Sequence, residues 1–225
     1  MSSASGPADV LDQLRGLCGK AVRSLPASGA GLSVAAKDTR YSLVAAADPA
    51  SEHLEEMQFV LGEGPCVDAA ASRRPVLVAH LGDEGPTRWP AYTAAAQEVG
   101  VKAVFAFPLQ VGAAQLGVMD FFRTQEGQLS EPELGQAFAI ADEAVAILLD
   151  GHDRAALDAD GESAEGELAG PAELFQAQGM VMVQTGGTLV EAMARIRAYA
   201  YAENLRLIDV ARAVVNRQLH FDRDG

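Results

Sequence analysis

Two turn signals, Gln184-Thr185-Gly186-Gly187-Thr188 and Glu203-Asn204-Leu205-Arg206, cut the stretch from Glu173 to Leu219 into three short helical segments. Glycine pairs favour turns, and Thr188 with Glu191 three residues on is a helix-start signature. A unit this small packs three helices around a minimal core and has no room for a deep catalytic cleft. This end of the chain therefore reads as a binding module, and the rest as apparatus that controls it.

Charge divides the chain in the same place. The 225 residues carry a formal net charge of -14, all of it upstream of residue 170, while residues 170–225 hold six basic and six acidic side chains. Between Ala192 and Leu219, five arginines face only Glu203 and Asp209. A polyanion contact is therefore expected in the back part. The two cysteines, Cys18 and Cys66, do not form a secreted disulfide framework, and no stretch approaches a membrane span or a signal peptide. The expectation is a cytoplasmic protein with no membrane contact.

The front part alternates periods. Residues 1–8 are small and polar and are expected to be disordered. Val10–Leu25 has helical spacing and stops at Pro26. Residues 29–36 and 41–47 read as a hairpin, and Asp48-Pro49 opens a helix whose Glu52, Glu55 and Glu56 suit the positive helix end. A constrained turn, Leu61-Gly62-Glu63-Gly64-Pro65-Cys66, leads into a short helix. Strands follow at 76–81, 101–111 and 115–123, with a helix at 90–99 and a long helix from Ser130 with Leu134, Phe138, Ala141, Val145 and Leu148 together on one apolar face. This order gives an α+β fold, a central antiparallel sheet flanked by helices.

The turn at 61–66 and the hairpin Phe107-Pro108-Leu109…Gly117-Val118-Met119, in that order, resemble a GAF domain over roughly residues 9–153. The resemblance implies a sensor and dimerisation domain, one that often binds a small molecule. Cys66, His80 and Trp89 are the candidate lining of such a pocket. Cys66 fits either a thiolate near a helix N-terminus or a small buried hydrophobe, and packing is the simpler reading. Trp89 equally suits pinning the following helix to the sheet, and His80 suits a sheet edge. The four histidines lack metal-ligand spacing, and no carboxylate pair or nucleophile triad stands out. No catalytic or metal residue is expected, and the effector is unnamed.

Residues 154–170 read as an acidic linker, helical at first. In residues 171–221, Gly179 sits mid-helix, which suggests a close helix contact. The core stripes are Leu189, Met193, Ile196 and Ala200 on the second helix and Leu207, Val210, Ala211 and Val214 on the third. The set Ala177-x-Gly179-x-x-Met182, Glu191-Ala192, Ile196-Arg197-x-x-Ala200 and Leu207-x-x-Val210-Ala211-x-x-Val214 looks like an ANTAR domain, an all-α three-helix module. Members of that family bind RNA hairpins and cause transcription antitermination. Many carry Lys where this chain has Gln178. The resemblance points to Gln178, Arg195, Arg197, Tyr201, Arg206 and Arg212 as the RNA-binding set. Arg197 and Tyr201, at i, i+4, suit phosphate contact and base stacking.

The expected function is a signal-responsive antitermination regulator, a homodimer holding a hairpin in a nascent transcript, and not an enzyme. The competing readings are a DNA-binding three-helix regulator and a thiol redox enzyme using Cys66.

Overall fold

A computed structural model describes residues 7–36, 40–157, 172–203 and 205–222. The chain divides into two compact units, residues 1–169 and 170–225. The expected linker at 154–170 lies largely outside the described residues.

The first unit begins with helix α1 (Pro7–Ser24), so residues 7 and 8 are helical where disorder was expected. Strands β1 (Gly29–Ala36) and β2 (Arg40–Ala46) pair antiparallel. Helix α2 (Pro49–Leu61) is started by Asp48, whose carboxylate accepts from the Ser51 N–H at 2.8 Å, and is stopped by Gly62 at φ 68°. Helix α3 (Pro65–Ser72) follows, then β3 (Val76–Val78), α4 (Leu81–Arg88), α5 (Pro90–Glu98), β4 (Ala103–Val111), β5 (Ala114–Arg123) and α6 (Glu131–Leu157). The strand expected at 76–81 is shorter, and residues 81–84 open α4, despite Pro86 within it.

The sheet order is β2-β1-β5-β4-β3, and every pairing is antiparallel. The central strand β5 lies against β1 so closely that a Cβ on Gly117 would meet the Ser33 carbonyl oxygen at 2.1 Å. Side chains alternate across the sheet. Leu32, Val34, Phe105, Phe107, Met119 and Phe121 form one core with Leu14, Leu17 and Cys18 of α1 and Ile140, Ala141 and Ala144 of α6. The α6 face is rotated from the expected one. Phe138 is 44% exposed and touches the core edge-on through Phe107 at 5.1 Å, while Ala137 and Ile140 are buried in its place. The other sheet face carries α2, α3 and α5. Leu54, Trp89, Tyr92, Val104 and Phe122 pack there in one cluster, and Cys66, Ala69, Ala106 and Val118 in another.

The second unit consists of α7 (Ala172–Thr185), α8 (Leu189–Ala202) and α9 (Leu207–Val215). Gly186 at φ 70° follows α7, and Thr188 with Glu191 forms a reciprocal capping box on α8. Ala177, Val181, Ala192, Met193, Ile196, Ala200, Leu207, Val210, Ala211 and Val214 are buried. Leu189 departs from the expected stripe at 45% exposed, because it is the first residue past the cap. No described helix is long and apolar enough to cross a membrane.

Candidate nucleic-acid interface and a buried acid-thiol cluster

The arginine surface of the second unit is built on α8 and the start of α9. Tyr201, in the last turn of α8, is 57% exposed. Arg197 lies one turn before it on the same helix flank, partly buried. Arg206 is the exposed N-cap residue of α9, where the positive helix end adds to its charge. Arg195 donates to the Asp222 carbonyl oxygen at 3.3 Å. Arg212 lies 3.6 Å from Glu173 and 3.8 Å from Asp209, in exposed ion pairs that cost little to exchange for another anion.

Gln178 does not join them. It is 2% exposed, and its Nε2 donates to the Leu189 carbonyl oxygen at 2.5 Å, tying α7 to the start of α8. Its place inside the unit does not fit the RNA contact expected of it. Gly179 also differs from expectation. A Cβ there would meet nothing within 4 Å, so no close helix contact accounts for it.

In the first unit, Cys66, His80 and Trp89 occupy three different environments. Cys66 is buried under α3, Trp89 is buried among Leu54, Leu81 and Tyr92, and His80 is exposed with Nδ1 3.4 Å from Glu126. Arg88 stacks on the outer side of Trp89 at 4.1 Å, and its guanidinium binds Asp68 at 2.9 Å, which pins α4 to α3. An open cleft of about 440 Å³ lined by Arg15, Val44, Ala45, Ala46, Asp48, Pro49 and Glu52 includes none of the three. Glu63, from the Gly-Glu-Gly turn, has a structural role. Its Oε1 accepts from the N–H groups of Ala91 at 2.8 Å and Tyr92 at 3.0 Å, capping α5 from across the turn.

The cluster that sequence reasoning missed lies between α2 and the sheet. Ser51, Glu55 and Gln58 of α2 are buried at i, i+4, i+7 spacing, so a polar stripe faces the sheet. Glu55 does not serve the helix end, as expected from its sequence position. It is fully buried, and Ser33 Oγ donates to its Oε2 at 2.7 Å. Opposite it, Asp120 is 1% exposed and its Oδ2 accepts from Gln58 Nε2 at 2.8 Å. Gln58 Oε1 accepts in turn from the Cys66 N–H at 2.7 Å. The glycines make this possible. A Cβ on Gly31 would lie 2.4 Å from Glu55 Cγ, and one on Gly64 would lie 2.5 Å from Gln58 Oε1.

Burial pushes the Asp120 carboxyl up to about 6, offset by hydrogen bonds from Glu55, Gln58 and Cys66. Burial, and then the Asp120 charge, raises Glu55 well above the carboxylate range. Burial and the same two acids push the Cys66 thiol up. Signals for the cluster were present in the sequence: an aspartate inside the apolar run Val118-Met119-Asp120-Phe121-Phe122, and a carboxylate and an amide on consecutive turns of α2.

Comparison with known proteins follows this geometry. A family model described as GAF domain matches residues 8–149, and one described as ANTAR domain matches residues 162–215. No curated protein matches the chain. Among solved structures, a domain of a two-component sensor histidine kinase protein from Sinorhizobium meliloti 1021 is 17% identical, with 70% of this chain and 99% of that one covered and a TM-score of 0.54. The type II free methionine-R-sulfoxide reductase from Thermoplasma acidophilum is 17% identical, over 64% of this chain and 95% of that one, with a TM-score of 0.52. The GAF domain of a phosphoenolpyruvate-protein phosphotransferase from Coxiella burnetii is 19% identical, over 69% and 99%, with a TM-score of 0.51. At these identities the structures share the fold alone. The matched families account for both units, and the chain belongs to the GAF family with an ANTAR domain behind the GAF domain.

Proposed function

We propose that this chain is a signal-responsive RNA-binding regulator that acts by transcription antitermination, its GAF domain controlling its ANTAR domain. The observation that carries the reading is the ANTAR match over residues 162–215, on a unit whose exposed Tyr201 shares a flank with Arg197. An aromatic face beside a cation suits an unpaired loop base and its phosphate. Arg195, Arg206 and Arg212 add charge around them. Holding a hairpin in a nascent transcript would exclude a competing terminator.

Control by the first unit rests on domain order and on α6. Phe138 and Leu149 of that helix are exposed at 44% and 38%, and their eleven-residue separation puts them on one face. That stripe suits pairing with a second copy of the chain, which would join two weak RNA modules by effective concentration. The reading contains no catalytic step. A redox role for Cys66 is disfavoured by its burial, which opposes the thiolate.

Binding of the full chain to a panel of RNA hairpins at low salt, with duplex DNA as competitor, tests the proposal. Tyr201→Ala and Arg197→Ala should each weaken hairpin binding about tenfold, the loss expected for one stacked base or one charged contact. Equal competition by duplex DNA would favour a DNA-binding regulator instead. Absence of any hairpin shift would overturn the RNA-binding reading.

A further inference from the structure

We propose that Glu55, Cys66 and Asp120 form a binding site for one divalent transition-metal ion of the zinc and iron(II) class, buried in the GAF domain. The three residues come from α2, α3 and β5, and their ligating atoms all lie within 4.8 Å of one another. Two donors at tetrahedral angles around one such ion are about 3.3–3.8 Å apart, since metal–oxygen and metal–sulfur bonds run about 2.0–2.3 Å. The cluster therefore needs inward shifts of under about 1 Å per donor to close on an ion.

The orientation of the carboxylates is the second argument. Each has one oxygen held by the protein, Glu55 Oε2 by Ser33 and Asp120 Oδ2 by Gln58. The other oxygens, Glu55 Oε1 and Asp120 Oδ1, are buried with no donor from outside the cluster itself. One oxygen anchored and one left over on each ligand is how outer hydrogen bonds orient metal-binding carboxylates.

An independent observation comes from α5. The Tyr92 hydroxyl is fully buried and also without a partner, and the charges that act on it are those of Asp120, Glu55 and Cys66. A buried, unpartnered phenol oxygen in the field of two acids and a thiol is a candidate fourth donor. Thr93 Oγ1 is likewise buried and unsatisfied on the same helix. Burying two acids and a thiol costs stability unless something compensates them, and neutral side chains of the same shape would pack as well. A mixed sulfur and oxygen set selects against calcium and magnesium and suits zinc or iron(II).

Loading balances in charge. As a divalent ion binds, the thiol proton and one carboxyl proton leave to water, and the cluster charge is unchanged. This inference is independent of the RNA reading, since it concerns the first unit alone. If both hold, metal occupancy beneath α2 and α3 is an input the sensor can read.

The experiment uses the full chain, stripped with chelator. One equivalent of Zn2+ should raise its melting temperature. Co2+, as a spectroscopic probe, should produce a thiolate-to-metal charge-transfer band at one ion per chain. Cys66→Ser should abolish the band, and Glu55→Gln, which keeps shape and folding, should weaken Co2+ binding at least a hundredfold. Ser33→Ala, which only orients Glu55, should weaken it about tenfold. The proposal is overturned if Co2+ gives no thiolate band. It is also overturned if Zn2+ leaves melting unchanged, or if Glu55→Gln binds Co2+ as tightly as the parent.

Discussion

Gly31 and Glu55 occupy the same space to within a methyl group, since a Cβ on Gly31 would stand 2.4 Å from the Glu55 Cγ. Glycine inside a strand ordinarily weakens it relative to alanine by about 0.5–1 kcal/mol. Here the sign reverses. Gly31→Ala should destabilise the first unit by about 1–3 kcal/mol, the usual penalty for overpacking a closed site. Urea denaturation checks it, and an unchanged or higher midpoint would mean that Glu55 is free to move away.

Glu63 caps a helix 28 residues further along the chain. Glu63→Ala leaves the Ala91 and Tyr92 N–H groups without their acceptor, and it should lower stability by about 1–2 kcal/mol. Glu63→Gln, which keeps an accepting oxygen, should recover about half of that. Thermal melts of the two variants side by side decide it.

These two relationships show what could and could not be read from the chain. Turn glycines, caps and hydrophobic periods are local, so the helices, the turn at 61–66 and the capping box at Thr188–Glu191 were legible. The carboxyl pair was not, because Glu55 and Asp120 are far apart in the chain and meet only when β5 is inserted beside β1. Helical phase misled at Phe138, where the buried face centres on Ile140 and Ala141. Gln178 was placed on the surface by the ANTAR resemblance alone, and its own uncharged side chain gave no such signal. The arginines of α8 and α9 were legible as a set, since charge partition needs no tertiary knowledge.

Glu55→Gln separates stability from ligand binding. Burial and the Asp120 charge raise the Glu55 carboxyl in the folded state. Its contribution to stability is therefore complete below the unfolded-state value of about 4.3 and is lost as pH rises. The amide has no such loss. The metal-free variant should match the parent near pH 4 and exceed it at pH 7 by about 1–4 kcal/mol, the range for replacing a buried charge with a neutral group. A stability–pH series on both proteins measures the divergence, and parallel curves would contradict it.

The opposite sign holds at Glu191. Hydrogen bonds from the Thr188 backbone and hydroxyl lower its carboxyl. Its stabilisation of α8 is present above the ordinary glutamate value and disappears as pH falls through the lowered one. Acid titration of helicity should therefore show a loss that Glu191→Gln removes. A variant that titrates like the parent would show that the capping box is not the responsible group.

Gly179 faces open space in the middle of α7. Gly179→Ala should stabilise the second unit by about 1 kcal/mol, the propensity difference alone. Hairpin affinity of the same variant is the informative companion measurement. If the helix becomes firmer and RNA binding falls, the bare backbone is where the nucleic acid approaches.

Both cysteines are free and fully buried, one on each face of the sheet. Burial pushes the Cys18 thiol up to about 12, and Cys66 is raised as well. Neither reacts until the layer above it parts. The domain thus carries two internal clocks. Labelling of Cys18 times the lifting of α1 and α6, and labelling of Cys66 times the lifting of α2 and α3. A signal that loosens one face and leaves the other shut would change one rate alone.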